Sequence, residues 1–282
     1  MKVWKIFLSP SQNPTAMIKN LKYFISCFDA ELLKTRRTFA IWMAVISPLF
    51  IALMFFLVYL FEDSILTMLN TGNPWATYID QHYKAIATFM LPFFVVLLTT
   101  LVVYTDHKNN TWKLLYTMPV PKWCIYYSKL FTIAFLVFLT HVLFLLLILF
   151  SGFLLGIFRP ELGFGDFAPA YLQLVVTTIN SFLATLGIIT IQFWISMRVK
   201  NLFVPLGIGL ICIVAGNILI LAFFEEIIYI PYAHPSINSW EIIGSRSIHQ
   251  FFIVNEVGFY GLIYFFIVSF LFYLDVRRMN VK

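Results

Sequence analysis

Along most of this chain the hydrophobic residues neither alternate nor recur at a helical period; they run together. Six stretches, 39–61, 85–105, 124–157, 170–197, 202–224 and 257–274, are almost continuously apolar and are separated by polar segments. About 20 apolar residues rising 1.5 Å each cover the roughly 30 Å of hydrocarbon in a bilayer, and a helix pairs its own backbone groups there. The pattern predicts an all-α integral membrane protein with six transmembrane helices. The third stretch is long enough to tilt or to begin outside the hydrocarbon, since Lys129 falls in its first two turns.

A different pattern precedes the first stretch. Met17, Leu21, Phe24, Phe28 and Leu32 recur at spacings of 4, 3, 4 and 4, while Lys19, Lys22, Ser26 and Asp29 share another face. Asn13 caps this helix and Pro14 opens it, where a missing N–H costs nothing. The expectation is an N-terminal amphipathic helix in the cytoplasmic interface, its end fixed at the headgroups by Lys34, Arg36 and Arg37. A cytosolic helix packed on a partner protein is the alternative. The chain thus divides into an N-terminal segment, 1–36, and a six-helix domain, 37–282.

The connections are unequal. Residues 198–201 form a minimal turn, 106–123 an 18-residue link and 225–256 a 32-residue one. The last keeps apolar runs, IIYIPY and HQFFIV, around His234-Pro235, so a partly ordered external loop is expected, dipping into the membrane edge or capping an outer cavity.

Composition removes the soluble alternative. Hydrophobic residues make up 61% and charged ones 11%, with a mean hydropathy of +0.89, against about 25% charged in soluble domains. The net charge of +6 first raises the question of nucleic acid. Placed on the predicted spans, however, 16 of the 19 Lys and Arg fall on one side, and only Lys84, Arg159 and Arg246 on the other. Basic residues mark the cytoplasmic face, so both termini are expected in the cytoplasm of a multi-pass cell-membrane protein. No nucleic acid is needed to explain the charge; membrane lipid is the expected surrounding. The start, MKVWKIFLSPSQNP, is too short and interrupted for a secretory signal, so the first span is expected to persist. Cys27, Cys124 and Cys212 show no CxxC pair and read as reduced structural residues.

Catalytic chemistry is sparse. No Gly is followed by Lys, which excludes the usual phosphate cradle. Any ATP and Mg would sit on another chain, and no cofactor is expected here. The polar residues at bilayer depth are His141, Asn180, Gln192 and Asn217, with Glu225 and Glu226 closing the fifth span. They are candidates for a substrate path, because burying polar groups costs free energy. For His141, interhelical hydrogen bonding and a proton-relay role both stand open. No Asp or Glu lies mid-span, and His107, His234 and His249 fall on opposite faces, which argues against a proton-coupled carrier, a membrane enzyme or a metal site. The pairs Gly152/Gly156 and Gly207/Gly209 are expected to allow close helix packing.

The link after the second span is the informative one, DHKNNTWKLLYTMPVPKWCIYYSKL. Asn110 or Thr111 caps a short helix, Trp112, Leu115 and Tyr116 give it an apolar face, and Pro119 stops it. Lys122, Trp123 and Lys129 then anchor the next span at the interface.

Three segments, AELLKTRRTFAIWMAVISPLF at 30–50, NTWKLLYTMPVPKW at 110–123 and YIPYAHPS at 229–236, resemble permease subunits of ABC-2 type exporters of the lantibiotic-immunity and bacitracin-resistance kind. The resemblance implies that the short cytoplasmic helix is a coupling helix seated in a separate cytosolic ABC ATPase. Coupling then falls to Asp106, Trp112, Lys113, Leu115 and Tyr116, and membrane-elbow duty to Met17, Leu21, Phe24, Phe28 and Leu32. It implies too that a second permease subunit, identical or related, completes an exit path for a hydrophobic or amphipathic compound such as a peptide antibiotic. Family members often carry Glu where Asp106 stands, and residues 1–13 have no assigned role. The competing readings are a motor-free carrier or channel using His141, and a membrane enzyme.

Overall fold

A computed structural model describes residues 14–36, 38–65, 72–109, 111, 117, 119–239, 242–243, 246–247, 250–251 and 253–277. In chain order the helices are α1 (Pro14–Thr35), α2 (Phe39–Phe61), α3 (Pro74–Ala87), α4 (Met90–Lys108), α5 (Lys122–Phe158), α6 (Tyr171–Arg198), α7 (Phe203–Leu221), α8 (His234–Ser239), α9 (Glu256–Ile263) and α10 (Ser269–Arg277). A π-helical turn, Tyr264–Val268, joins α9 to α10 into one rod. Among the described residues six helices are long and apolar enough to cross a membrane: α2, α4, α5, α6, α7 and the rod over Glu256–Asp275.

Burial sorts these spans. The apolar windows of α4 and α6 are 61% buried, whereas those of α2 and α7 are 22% buried, so the first pair forms the core and the second its flanks. Trp42, Phe50 and Phe61 on α2, and Phe203, Ile211 and Leu221 on α7, are largely exposed. Such surfaces are stable only against hydrocarbon, and the molecule is a multi-pass membrane protein.

At 37 residues α5 is about 55 Å long, well beyond the hydrocarbon thickness. Its first turns are occupied by α1. Phe24 stacks on Trp123 at 6.2 Å and meets Phe131 edge-on at 6.0 Å, and Phe28 meets Phe135 at 6.2 Å. The centre of the amphipathic stripe therefore packs on protein. Leu21 and Ile25 remain exposed and Leu32 is half-buried, while the side chain of Met17 lies outside the described residues.

The second span differs from the sequence expectation of 85–105. The chain forms two helices, α3 and α4, broken at Thr88-Phe89. Asn73 caps α3, its Oδ1 accepting the Trp75 N–H at 3.0 Å, with Pro74 at the first helical position. The polar side chains of α3 hide it from a hydropathy reading, yet most of it is buried, because most of those groups find partners. Tyr59 Oη donates to Gln81 at 2.6 Å, the Tyr78 and Ser151 hydroxyls pair at 2.8 Å, Tyr83 and Thr178 pair at 2.8 Å, and Trp75 Nε1 donates to the Phe164 carbonyl at 3.1 Å. The Trp75 ring lies over Gly152, where a Cβ would sit 2.4 Å from it. Gly209 is equally confined, by Val96 at 2.5 Å, but Gly207 has nothing within 4 Å and does not serve packing as its pairing with Gly209 led us to expect.

After α7 the chain reverses. Phe223 takes the left-handed conformation (φ 54) and the Phe224 N–H reaches back to the Leu219 carbonyl at 3.1 Å, the wide closing bond of a helix-ending turn. Two 3₁₀ turns, Glu225–Tyr229 and Pro231–Ala233, and then α8 re-enter the bundle. Pro231 lies against Gly187 and Ala233 against Gly216, and His234 has no exposure. Gly187 is about 16 Å along α6 from Arg198, near the middle of a hydrocarbon layer. The segment thus packs against α6 and α7 well inside the bundle.

Two short antiparallel pairs, Ile242–Ile243 with Arg246–Ser247 and Gln250–Phe251 with Val254–Asn255, interrupt the otherwise helical chain. At the same end as this segment Arg159 ties α5 to α2: its Nη2 meets Asp63 at 2.9 Å, and Nη1 donates to the Tyr59 and Glu62 carbonyls at 3.3 Å each.

Candidate functional site

At the opposite, basic end three helices meet at a charge cluster. Lys129, in the second turn of α5, is 1% exposed; Glu31 of α1 is 4% exposed and Asp106, near the end of α4, 2%. The Lys129 ammonium bonds Glu31 Oε2 and lies 2.5 Å from Asp106 Oδ2. Lys34, one turn beyond Glu31, adds a second ammonium at 2.5 Å from Glu31 Oε1 and 3.5 Å from Asp106 Oδ1. Two carboxylates and two ammoniums cancel in formal charge, which is the condition for holding them away from water.

The sequence places these groups by simple periodicity. Glu31 and Lys34 are three apart and share one face of α1. Asp106 sits in the last turn of α4, where Thr111 Oγ1 donates to its Oδ1 at 3.1 Å and to its backbone carbonyl at 3.3 Å. The cluster is thus connected to the first residues of the 109–121 link. Nearby, His107 Nε2 donates to the Ser196 carbonyl at 3.0 Å, and Trp194 and Arg198 both bond Asp275, drawing α4, α6 and α10 together at this end. Burial and the Glu31 carboxylate raise the Cys27 thiol above its ordinary value, which disfavours the thiolate.

Of the expected coupling residues, Asp106 is in this cluster. Trp112, Lys113, Leu115 and Tyr116 lie outside the described residues. Glu31 was not among the expected functional residues, and Lys129 was read as an interfacial anchor; the structure corrects that reading, since Lys129 is enclosed by carboxylates from two other helices. The available signal was a lone Lys within an apolar run, which requires a partner charge.

The structure places the expected substrate-path residues in separate contacts. His141 Nδ1 donates to the Val137 carbonyl at 2.8 Å, and its Nε2 faces the Ser181 hydroxyl at 3.4 Å, so both ring nitrogens are engaged. Asn180 Nδ2 donates to the Ile253 carbonyl at 2.8 Å and its Oδ1 accepts the Asn255 N–H at 2.9 Å, which holds the entry to α9. Glu225 and Glu226 are exposed at the start of the re-entrant segment.

Gln192 and Asn217 are each bonded by a residue of that segment, in two separate knots. Gln192 Nε2 donates to Thr100 Oγ1 and to the Pro205 carbonyl at 2.9 Å each, and its Oε1 accepts from Tyr232 Oη at 3.0 Å. Asn217 Nδ2 donates to the Thr88 carbonyl at 2.7 Å and its Oδ1 accepts from Ser236 at 2.9 Å. The first knot joins α4, α6, α7 and the re-entrant turn; the second clamps the break between α3 and α4. Gln192→Leu is expected to cost about 1–3 kcal/mol by stranding these buried partners. Thermal unfolding of the purified variant checks it, and loss confined to Gln192→Leu but absent from Thr177→Ala, a half-buried α6 position outside the knot, would tie the effect to the knot.

Among the described residues no group of three or more His, Cys, Asp or Glu is placed to hold a metal. No curated protein and no solved structure matches the chain. The model for the ABC-2 family transporter protein matches residues 27–216, about two thirds of the chain, running from the α1 face that holds Glu31 through the charge cluster to Gly216, one residue short of Asn217. The chain belongs to the ABC-2 transporter family.

Proposed function

We propose that this chain is the membrane-spanning permease subunit of an ATP-driven exporter for a hydrophobic or amphipathic compound such as a peptide antibiotic. ATP is bound and hydrolysed on separate cytosolic subunits, with which permeases of this family normally work, and the basic end faces them. A second permease subunit, identical or related, completes the exit path.

One observation carries the reading. In a chain without a phosphate cradle, the start of the 109–121 link is tied through Asp106 to both α1 and α5. A displacement of the link is then delivered to two packed helices rather than absorbed by a free loop. Nucleotide binding on the partner shifts the balance between conformations, and Trp112, Lys113, Leu115 and Tyr116 supply the surface it engages. A motor-free carrier built on His141 gains no support, because that ring is fully engaged.

Replacing Trp112 and Tyr116 together by Ala is expected to reduce transport or resistance by about tenfold or more, as loss of aromatic anchors does at an interface, while the variant reaches the membrane in normal amount. Unchanged transport, or recovery of the chain from membranes without any ATPase subunit, overturns the reading.

A further inference from the structure

We infer that the open face of α3, carrying Thr77, Asp80, Lys84 and Thr88, is the wall of a water-filled vestibule that reaches into the hydrocarbon layer from the end opposite the charge cluster. The four residues follow one another at spacings of 3, 4 and 4 and form one stripe. Thr88, at the C-cap, keeps helical dihedrals (φ −66, ψ −39) and stays in register with it. Thr77 and Asp80 are part-exposed, and Lys84 and Thr88 exposed, while the opposite face, with Trp75, Tyr78 and His82, is buried. The Lys84 ammonium lies 2.8 Å from the Asp80 carboxylate with both side chains nearly half exposed.

Ring contacts with α2 fix the depth of the stripe. Tyr78 is 4.7 Å from Tyr59 and His82 is 4.2 Å from Phe55, so α3 descends antiparallel to the end of α2. Phe55 lies about 9 Å below Phe61, where α2 gives way to Glu62 and Asp63. At the same rise Lys84 lies about 12 Å and Thr88 about 18 Å below that level, inside a layer roughly 30 Å thick. Over this depth α2 exposes Leu53, Leu57 and Val58. Two surfaces of one chain at one depth thus differ in kind. Hydrocarbon suits the leucines, but a carboxylate and an ammonium open to their surroundings need water. Snorkelling toward the headgroups suits a lone Lys; Asp80 and Thr88 have no such reach.

Neighbouring helices extend the polar wall. Gln173, exposed on α6, donates to the Ala76 carbonyl at 3.4 Å near its top, and Asn217 of α7 donates to the Thr88 carbonyl at 2.7 Å at its foot. Below Thr88 the character changes. Phe89 and Met90 are exposed and apolar, and the Phe89 ring stacks on Phe93 at 5.5 Å. An apolar floor of this kind ends a water column. The vestibule admits the hydrated polar or charged groups of a solute, and the inference stands independently of any export activity.

The experiment places the full chain in nanodiscs and follows modification by a small cationic, membrane-impermeant methanethiosulfonate. Mass spectrometry locates the adducts, so that Cys27, Cys124 and Cys212 are read apart from the introduced thiol. Thr77→Cys, Lys84→Cys and Thr88→Cys are expected to react about tenfold or more faster than Leu53→Cys and Leu57→Cys, since a thiol in water ionises to the reactive thiolate and one in hydrocarbon does not. Thr77→Cys and Thr88→Cys keep the ion pair, so the result does not depend on Lys84→Cys folding. Reaction at Thr88→Cys no faster than on α2 places the face against lipid or a second copy of the chain and overturns the proposal, as does reaction confined to Thr77→Cys at the rim.

Discussion

Lys129→Ala is expected to lower the stability of the purified chain by about 3–5 kcal/mol, the penalty for leaving buried charges without their partner. The residue is 1% exposed and touches Glu31 and Asp106, both nearly as buried. Its removal strands two carboxylates, and Lys34 faces them from the half-exposed side only. In a thermal unfolding assay in detergent the midpoint should fall on the order of 10 °C. The comparison is Lys84→Ala, which breaks an ion pair of 2.8 Å with Asp80 in which both side chains are nearly half exposed. That change should stay within about 1 kcal/mol. Equal effects of the two substitutions would show that burial does not govern the cluster.

A second substitution set separates stability from transmission. Glu31→Gln, Asp106→Asn and Lys129→Met together remove all three buried charges and leave only Lys34, whose part-exposed ammonium can reach water, so no buried charge is stranded. If the cluster carries motion from the 109–121 link into α1 and α5, the triple variant should fold, reach the membrane and transport poorly. A triple variant that transports normally would leave the cluster a purely structural role.

Gly261→Ala is expected to cost about 3 kcal/mol, near the top of the usual range for overpacking. A Cβ on Gly261 would lie 2.1 Å from the backbone carbonyl oxygen of Leu183. Neither atom sits on a flexible side chain, so α9 and α6 must separate, and the Asn180 bonds to Ile253 and Asn255 at the same crossing loosen with them. Gly207→Ala is the control: nothing lies within 4 Å there, and Ala is favoured over Gly in a helix by about 1 kcal/mol. Opposite signs for the two substitutions are expected in the same unfolding assay. Destabilisation of similar size at both positions would contradict the close approach of these helices.

The hydrophobic runs placed five of the six spans within a few residues, because lipid contact imposes a long apolar stretch whatever the neighbours are. The second span was misplaced at its start, since α3 carries Asp80, Gln81, His82 and Lys84. Asn73-Pro74 was nevertheless a helix-opening signal of the same kind as Asn13-Pro14. The polar residues at depth were also visible as candidates, but not their roles. Whether Gln192 faces a substrate or holds Tyr232 depends on which residue returns to it from 40 positions away, and no local pattern carries that.

The sequence by itself determined that this protein spans a membrane with six helices, and the uneven Lys and Arg give the expected orientation, for hydrophobic transfer and charge translocation act on each segment nearly independently. It also marked the link after α4 as the distinctive one. Only the tertiary structure decided that Lys129 is enclosed by Glu31 and Asp106, that the turn at Phe223 sends the chain back into the bundle, and that α1 applies Phe24 and Phe28 to α5. Those outcomes rest on pairing between distant segments, where a buried charge or amide is tolerated only if a partner arrives from elsewhere in the chain.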